Sequence, residues 1–193
     1  MDVNFNGVVN GMQTFVPRMI ERGKGGYITN TASLGCFVAA SVAGIYSASK
    51  FAVHGITMAM RDALAPHNIG VSVLCPANIK TNIAESIDTR PAHLSNSGYE
   101  VNEDELNALR EIYSQGMEPE ELAQHTKAAM EKDQFYIIPY PEARPMLEMA
   151  FKQVLDALPP IDTDKEGQEK RHKAMMRYQQ ARAEMDAKRY GKK

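Results

Sequence analysis

Three residues of this chain have the types and the spacing of a device that moves a proton to or from an oxygen atom. Tyr46 and Lys50 lie four positions apart, and Ser33 lies thirteen positions before Tyr46. On a helix, positions i and i+4 share one face, about one turn apart. A lysine ammonium held there favours the ionised form of a neighbouring phenol, which makes the tyrosine a better acid and base catalyst. A serine hydroxyl at the same point would hold a substrate oxygen.

The pattern of apolar residues around these three predicts alternating helices and strands. Apolar residues recur at helical spacing between Phe5 and Arg22, and again from about Ile45 to Pro66. Tyr27–Thr31 and Val71–Cys75 are short runs of strand-forming residues. Helix, strand, helix, strand in this order is typical of an α/β fold with a parallel sheet. On the second helix we expect a core face of apolar and small residues at Ala48, Ala52, Ile56, Ala59, Met60 and Ala63.

The rest of the chain predicts a lid, further helices and a charged extension. Residues 82–117 follow the carboxyl end of a strand, where parallel sheets place ligand-contacting loops, so we predict a substrate lid there. Helices are expected at 103–113, at 119–132 and from 141, and a third strand at 135–138. We place the main domain at 1–160 and a helical extension, either solvated or packed on a partner subunit, at 161–193. The lid carries apolar residues that favour an apolar or aromatic substrate: Ile83, Ile87, Leu94, Tyr99 and Leu106.

Composition excludes several classes of partner. Of the 193 residues, 44% are hydrophobic and 24% charged, and the net charge is −2, which gives no reason to expect nucleic acid or a membrane surface. No apolar run is long enough to span a bilayer, and we expect no signal peptide. Cys36 and Cys75 form no CxxC pair, so we expect small, buried, reduced residues in a cytoplasmic protein. The five histidines lack metal-ligand spacing, and no metal site is predicted.

Four segments resemble, in order, the motifs of the short-chain dehydrogenase/reductase family. Tyr46–Val53 is very close to the Tyr-x-x-x-Lys signature, and Thr29–Gly35 resembles the strand end that carries the catalytic serine. Asp2–Gly7 resembles the segment that carries the catalytic asparagine. Cys75–Thr81 resembles the Pro-Gly-x-Ile/Val-x-Thr turn, although an alanine replaces the usual glycine. The resemblance extends from Asp2 to about Ile138 and implies the carboxyl-terminal portion of a Rossmann-like, doubly wound parallel sheet.

The resemblance also implies a reaction, which is hydride transfer between NAD or NADP and a secondary alcohol or ketone. Tyr46 would be the general acid and base, and Ser33 would hold the substrate oxygen. Lys50 would assist Tyr46 and hold the nicotinamide ribose, and Asn4 would hold a water in a proton relay. The implied catalytic set is therefore Asn4, Ser33, Tyr46 and Lys50, and the implied cofactor contacts are Tyr46, Lys50, Pro76, Ala77, Ile79 and Thr81.

The phosphate side of such a cofactor site has no counterpart in the sequence. No Gly-rich turn of the G-x-x-x-G-x-G type follows a strand. We therefore expect that the family's amino-terminal cofactor-binding half is absent, that Met1 is internal to a longer protein, and that this chain alone binds NAD(P) weakly or not at all. Two functions stay open, an alcohol dehydrogenase and a catalytically inactive interaction module. In either case the two long helices predict a homo-oligomer, since helices at these positions often join subunits in the family.

Overall fold

The computed structural model describes residues 1–87, 89, 91–94, 102–161 and 163–190. The chain divides into two compact units, Met1–Arg144 and Pro145–Lys193. Tyr99, one of the residues predicted for the lid, lies outside the described residues. The division of the chain at 160 that the sequence suggested stays a prediction about its domains.

A parallel three-stranded sheet forms the centre of the first unit. Strands β1 (Gly26–Thr31), β2 (Ile69–Leu74) and β3 (Tyr136–Ile137) lie side by side in chain order. Thr31 is paired with Leu74, and Leu74 with Ile137, so the three carboxyl ends meet at one edge. Among the described strands, only β2 pairs with β1, which leaves the other side of β1 as an edge. The predicted α/β fold with a parallel sheet is confirmed.

Two long helices cover one face of this sheet. Helix α1 (Gly7–Arg22) follows a π-helical turn at Asp2–Asn6, and helix α2 (Gly44–Leu64) connects β1 to β2. Helix α1 ends at Gly23, whose φ of 64° is the left-handed conformation that glycine adopts without strain. Burying one large aliphatic side chain stabilises a fold by about 1.5–3 kcal/mol, so the contacts of these helices hold the sheet together. Those contacts form two core clusters, Ala32, Cys36, Val53, Val73 and Cys75 near the carboxyl ends, and Met60, Leu64, Ile69 and Val71 near the amino ends.

The core face predicted for α2 was wrong at three positions. Ala48, Ala59 and Ala63 are exposed. Hydroxyl residues can replace alanine in a buried helix face because the hydroxyl donates to a carbonyl of the preceding turn. The Ser49 hydroxyl donates to the Tyr46 carbonyl at 2.6 Å, and the Thr57 hydroxyl to the Val53 carbonyl at 2.6 Å. The residues buried on α2 are Ser47, Ser49, Val53, Thr57, Met60 and Leu64.

Helices α3 (Glu103–Ser114) and α4 (Pro119–Glu131) lie between β2 and β3 in the chain. Asn102 caps α3, because its side-chain oxygen accepts from the amides of Asp104 and Glu105. The first turn of α3 carries three acidic residues and that of α4 carries two, which complements the positive end of each helix dipole. The Arg110 guanidinium contacts the Glu85 carboxylate at 3.1 Å and joins α3 to the short 3₁₀ segment Asn82–Ile87. The described part of the predicted lid is therefore largely helical.

A polar network holds the amino-terminal edge of the sheet. The Arg61 guanidinium donates to both carboxylate oxygens of Asp133, at 2.9 and 2.8 Å, and to the Val71 carbonyl at 2.7 Å. The Tyr27 hydroxyl contacts the Ser72 hydroxyl at 2.7 Å and donates to Asp133 at 3.2 Å. These bonds connect α2, β1, β2 and the segment that precedes β3.

The second unit contains helix α6 (Lys165–Tyr190) and most of α5 (Arg144–Asp156). Ion pairs one turn apart lie along α6, between Glu166 and Lys170 and between Glu169 and Lys173, each at 2.6 Å. Such exposed pairs support a helix only modestly. Tyr178 on α6 is 62% exposed. In the part of the chain that the structure describes, no helix is both long and apolar enough to cross a membrane.

Candidate active site

The candidate site lies where the carboxyl ends of β1 and β2 meet the start of α2. Backbone pairing continues past both strand ends, since the Ala32 amide donates to the Leu74 carbonyl at 2.7 Å and the Leu34 amide to the Pro76 carbonyl at 2.9 Å. The segment that carries Ser33 is thereby fixed against the turn that follows β2. Parallel sheets place ligands at this edge, so the strands position these residues as the fold requires.

Ser33 is held in an extended conformation with its hydroxyl only partly engaged. The hydroxyl oxygen accepts from the Gly35 amide at 3.0 Å, which caps the short 3₁₀ turn Leu34–Cys36. The hydroxyl donates to the Pro76 carbonyl at 3.5 Å, which is the outer limit of a hydrogen bond. A ligand oxygen placed nearby would therefore displace only a weak bond to receive this proton.

Tyr46 and Lys50 lie on one face of α2, beside Ser33. The Lys50 ammonium is 5.7 Å from the centroid of the Tyr46 ring and donates to the Thr31 carbonyl at 3.2 Å. A Cβ atom built on Gly35 would lie 3.4 Å from Ser33 Oγ and 3.6 Å from Tyr46 Cε1. Both side chains therefore border the same small space next to Gly35. Tyr46 is 45% exposed, so its side chain is accessible from solvent.

The electrostatic environment of Lys50 is set first by burial. Partial burial lowers the pKa of the Lys50 ammonium, and the nearby Cys36 opposes this shift. A partly desolvated ammonium attracts the electrons of a nearby ring or oxygen more strongly than a fully hydrated one. Lys50 is therefore placed to favour negative charge on an oxygen in this space.

Asn4 is connected to the site through α2. It lies in the π-helical turn before α1, a feature often found at functional sites. Its side-chain amide donates to the Ser49 hydroxyl at 3.1 Å, and Ser49 in turn donates to the Tyr46 carbonyl at 2.6 Å. The side chain of Asn4 therefore anchors the start of α1 to the turn of α2 that carries Tyr46.

The turn that follows β2 is fixed by a second backbone pairing. The Met117 amide donates to the Asn78 carbonyl at 3.0 Å, and the Lys80 amide donates to the Met117 carbonyl at 3.0 Å. This is a parallel bridge between Ile79 and Met117. In such a bridge the flanking residues form the bonds, so the amide and carbonyl of Ile79 itself point away from Met117. They are available to a ligand on the other side of the turn.

The remaining predicted residues of this turn differ in their surroundings. Pro76 contacts Ser33 as described, while Ala77 lies beside the buried Tyr140. Burial raises the pKa of the Tyr140 phenol. Among the described residues, the Tyr140 hydroxyl has no hydrogen-bond partner. Thr81 is exposed, and within the described part of the chain no hydrogen bond connects it to Tyr46 or Lys50.

Sequence reasoning missed several residues that shape the site. Ser49 connects Asn4 to α2, and Gly35 lies between Ser33 and Tyr46. Gly116 lets its segment approach the turn, because a Cβ there would lie 2.8 Å from the Asn78 carbonyl oxygen and 2.9 Å from the Lys80 nitrogen. Gly35 could have been identified from the sequence, because it lies in the Thr29–Gly35 motif. No local sequence pattern indicates a role for Ser49 or Gly116.

Comparison with known proteins decides the family. Residues 1–92 match the model of the family described as short chain dehydrogenase. The C alpha-dehydrogenase of Sphingobium sp. (strain NBRC 103272 / SYK-6) is 47% identical over 174 residues, which are 90% of this chain and 57% of that protein. The chain belongs to the short-chain dehydrogenase/reductase family. The resemblance of the four motifs is thereby confirmed at the level of the family.

Solved structures of this family share the fold. The apo form of LigD from Sphingobium sp. strain SYK-6 is 38% identical, with a TM-score of 0.62 over 82% of this chain and 53% of that one. A short-chain dehydrogenase/reductase from Burkholderia phymatum in complex with NAD is 28% identical, with a TM-score of 0.73 over 83% of this chain and 59% of that one. The predicted Rossmann-like sheet is confirmed. The chain spans little more than half the length of each of these relatives.

Proposed function

We propose that this chain carries the substrate side of an oxidoreductase site that interconverts a secondary alcohol and a ketone, with NAD or NADP as the hydride carrier. The observation that carries the proposal is the convergence of Ser33 Oγ and the Tyr46 ring next to Gly35, with the Lys50 ammonium 5.7 Å from that ring. Membership of the short-chain dehydrogenase/reductase family supports it.

In the proposed reaction, Tyr46 exchanges a proton with the substrate oxygen. During alcohol oxidation the phenolate takes the hydroxyl proton while a hydride leaves the carbinol carbon. The bound nicotinamide supplies the hydride chemistry, and the protein supplies orientation and proton transfer. Ser33 donates its weakly held proton to the developing negative oxygen, and the Lys50 ammonium, 5.7 Å from the Tyr46 ring, supplies positive charge beside the reacting groups. Asn4, joined to this turn through Ser49, would hold the water that returns the proton to solvent.

The residues proposed for cofactor contact all lie at the nicotinamide end. Lys50 would bind the ribose hydroxyls, the amide and carbonyl of Ile79 that point away from Met117 would pair with the carboxamide, and the exposed Thr81 hydroxyl would contact the pyrophosphate. Pro76 and Ala77 would shape the turn that holds the cofactor, and Tyr46 would lie beside the nicotinamide ring. Because these contacts would bind only one end of a long ligand, we expect this chain to bind NAD or NADP weakly. Titration calorimetry with each nucleotide checks this, and micromolar affinity would contradict it.

We propose an apolar or aromatic alcohol or ketone as the substrate. Ile83, on the 3₁₀ segment that follows the cofactor turn, is 52% exposed. Among the relatives, the C alpha-dehydrogenase is named as a dehydrogenase. An apolar side chain exposed beside a site that handles an alcohol favours an apolar body on the substrate. Nothing in the charge distribution favours nucleic acid or a membrane as the partner, and we place the protein in the cytoplasm.

Substitution of Tyr46 by phenylalanine tests the proposal. With millimolar NAD or NADP and a panel of aryl and alkyl secondary alcohols, turnover should fall by about 10²–10⁴-fold, because the proton carrier is lost while the ring remains. Tyr178→Phe is the matched control, since Tyr178 is 62% exposed on α6, and it should keep full activity. Equal turnover in wild type and Tyr46→Phe would reject the proposed role.

A catalytically inactive interaction module is the second candidate function. It is favoured by four large apolar side chains exposed on α1 and α2, namely Phe15 at 60%, Ile45 at 78%, Phe51 at 45% and Met58 at 47%. Such residues mark association surfaces, and a homo-oligomer formed through these helices would bury them. Sedimentation of the wild type and of Phe15→Glu tests association, and a self-associating chain without dehydrogenase activity would favour this alternative.

A further inference from the structure

Two buried thiols meet beneath the candidate site, and the proposed reaction uses neither. Cys36 Sγ and Cys75 Sγ are 3.8 Å apart, and both residues are fully buried. They are 39 positions apart and are the two cysteines of the chain. Their contact could not be read from a CxxC motif, because it is made by the fold.

Each cysteine is directly connected to the Ser33 segment. The Cys36 amide donates to the Ser33 carbonyl at 3.0 Å, within the 3₁₀ turn that Ser33 caps. Cys75 ends the pairing of β2 with β3, since its amide donates to the Ile137 carbonyl at 3.0 Å. It is followed by Pro76, whose carbonyl accepts from both the Ser33 hydroxyl and the Leu34 amide. A change in the distance between the two sulfurs is therefore transmitted to Ser33 from two sides.

We propose that Cys36 and Cys75 are a redox modification site, which forms a reversible intramolecular disulfide when the protein meets a hydroperoxide. The geometry brings the two sulfurs into contact, so the disulfide needs only the loss of two hydrogens once the oxidant reaches Cys36. The alternative is that both cysteines are unreactive core residues, which is the usual role of buried cysteine.

Cys36 is the thiol placed to react first. Its hydrogen bond with Cys75, together with the Lys50 ammonium, lowers the pKa of the Cys36 thiol, whereas the same bond and burial raise the pKa of the Cys75 thiol. The Cys36 thiolate attacks one peroxide oxygen, the O–O bond breaks, and the other oxygen leaves with a proton as water or an alcohol. Cys36 is then a sulfenic acid.

The second step closes the disulfide. The Cys75 thiol attacks the sulfenic sulfur of Cys36, the S–S bond forms and the S–O bond breaks. The departing hydroxyl takes the proton of Cys75 and leaves as water. The two thiols are thereby oxidised by two electrons in all, and the hydroperoxide is reduced by the same two electrons. A dithiol reductant reverses the reaction.

Closure would move the Ser33 segment. A disulfide bond is about 2.05 Å long, so the sulfurs must approach by nearly 2 Å from their present 3.8 Å separation. Cys75 adjoins the central strand, which is paired on both sides, whereas Cys36 lies in a short 3₁₀ turn. The turn is the part that yields, and Ser33 moves with it. The effect on turnover rests on the proposed function, but the formation of the disulfide does not.

The test compares disulfide formation in the folded and the unfolded chain. The full chain is treated with hydrogen peroxide, in buffer or in concentrated urea, and free thiols are then blocked with N-ethylmaleimide. Intact mass and peptide mapping measure the Cys36–Cys75 bond. In the folded chain this bond should form in buffer without urea and should be the main oxidation product, because the two sulfurs are already in contact. Dithiothreitol should restore both thiols.

Two results would overturn the proposal. One is protection of both thiols in buffer with reaction only in urea, as inert core residues require. The other is oxidation of the folded chain to separate sulfinic acids or intermolecular dimers. Cys36→Ser and Cys75→Ser are the controls, because each leaves a single thiol and neither can form the intramolecular bond. If Cys36→Ser does not fold, Cys75→Ser and the wild type still decide the question.

Two further readouts test the coupling to the site. On oxidation, the amide NMR signals of Gly35 and Ala77 should shift, whereas that of Ala123 on α4 should not. Where the chain is active, oxidation should lower turnover by more than about tenfold, as removal of an oxyanion donor does, and dithiothreitol should restore it. A disulfide that forms while turnover and the Gly35 signal stay unchanged would overturn the coupling, and the Tyr46→Phe result would stand apart from it.

Discussion

At the amino-terminal edge of the sheet, the Asp133 carboxylate accepts from the Arg61 guanidinium at 2.8 and 2.9 Å and from the Tyr27 hydroxyl at 3.2 Å. At the carboxyl-terminal edge, Ser33 donates only at 3.5 Å, and Tyr46 is 45% exposed. The same kinds of side chain thus serve two purposes. At the amino-terminal edge, short hydrogen bonds between side chains hold the strands in place. At the carboxyl-terminal edge, the hydrogen bonds are long or absent, so the side chains can still bind a ligand.

Among the substitutions that test this comparison, Ser33→Ala at the carboxyl-terminal edge has the largest expected effect. Turnover should fall by about 10²–10³-fold, because a donor to the substrate oxygen is lost. The free energy of unfolding should fall by only about 1 kcal/mol, the usual cost of a lost cap. Kinetics and urea denaturation measure the two effects. Ser41→Ala, at an exposed serine of the same loop, should change neither, and a Ser33 variant that loses stability but keeps its turnover would break the comparison.

Gly70→Ala tests the packing of the opposite edge. A Cβ at this position would lie 2.3 Å from Tyr27 Cε2, so the ring must move, at a cost of about 1–3 kcal/mol in the free energy of unfolding. In a Tyr27→Ala background the same substitution should cost much less. Gly55→Ala is the control, since nothing lies within 4 Å of its added Cβ, and it should stabilise α2 by about 0.5–1 kcal/mol. Equal costs of Gly70→Ala in both backgrounds would show that the Tyr27 ring is not the obstacle.

Asp133→Asn tests the polar part of that edge. Asparagine tolerates the positive φ of 51° at this position, so the substitution removes charge without adding backbone strain. The pair with Arg61 is partly exposed, and we expect a loss of about 1–2 kcal/mol in the free energy of unfolding with turnover within about twofold of the wild type. Asp62→Asn, at the exposed neighbour of Arg61, should be neutral in urea denaturation. A turnover loss as large as that of Ser33→Ala would mean that the two edges are not functionally separate.

The smallest effect concerns His54, which connects α2 to β3 near the site. Its Nε2 lies 3.2 Å from the Tyr136 hydroxyl, and burial lowers the pKa of its imidazole below the ordinary 6.5. Between that lowered value and 6.5 the unfolded chain binds more protons, so stability should fall as the pH falls through this window. Urea denaturation at pH 7.5 and 5.5 measures the fall, which His54→Gln should reduce and the exposed His172→Gln should not. A fall of the same size in His54→Gln would assign it to other groups.

The carboxyl-terminal edge was largely predictable from the sequence, and the physical reason is local. Tyr46 and Lys50 share a face because four residues make about one helical turn, and Ser33 and Pro76 meet because parallel strands end at a common edge. The family motifs occupy these same segments. Helix and strand positions followed from apolar periodicity, which also reflects neighbours in the chain.

The amino-terminal edge was not predictable, because its contacts join residues that are far apart in the chain. Arg61 and Asp133 are 72 positions apart, and neither occupies a recognisable motif. The prediction of the buried face of α2 was wrong for a related reason. The Thr57 hydroxyl donates to the Val53 carbonyl of its own helix and accepts from the side-chain amide of Asn30 on β1, at 3.0 Å. Periodicity counts apolar residues and cannot show that a distant partner makes a polar one suitable for the core.

Gly116 will complicate any attempt to locate this active site by saturation mutagenesis. The backbone atoms of residues 78–80 leave no volume for a side chain there, and backbone cannot swing aside as a rotamer can. A scan scored by growth or turnover should therefore find Gly116 as intolerant as Tyr46, although it offers no functional group to a substrate. Expression level and activity per folded molecule, measured separately, would distinguish these two kinds of intolerance.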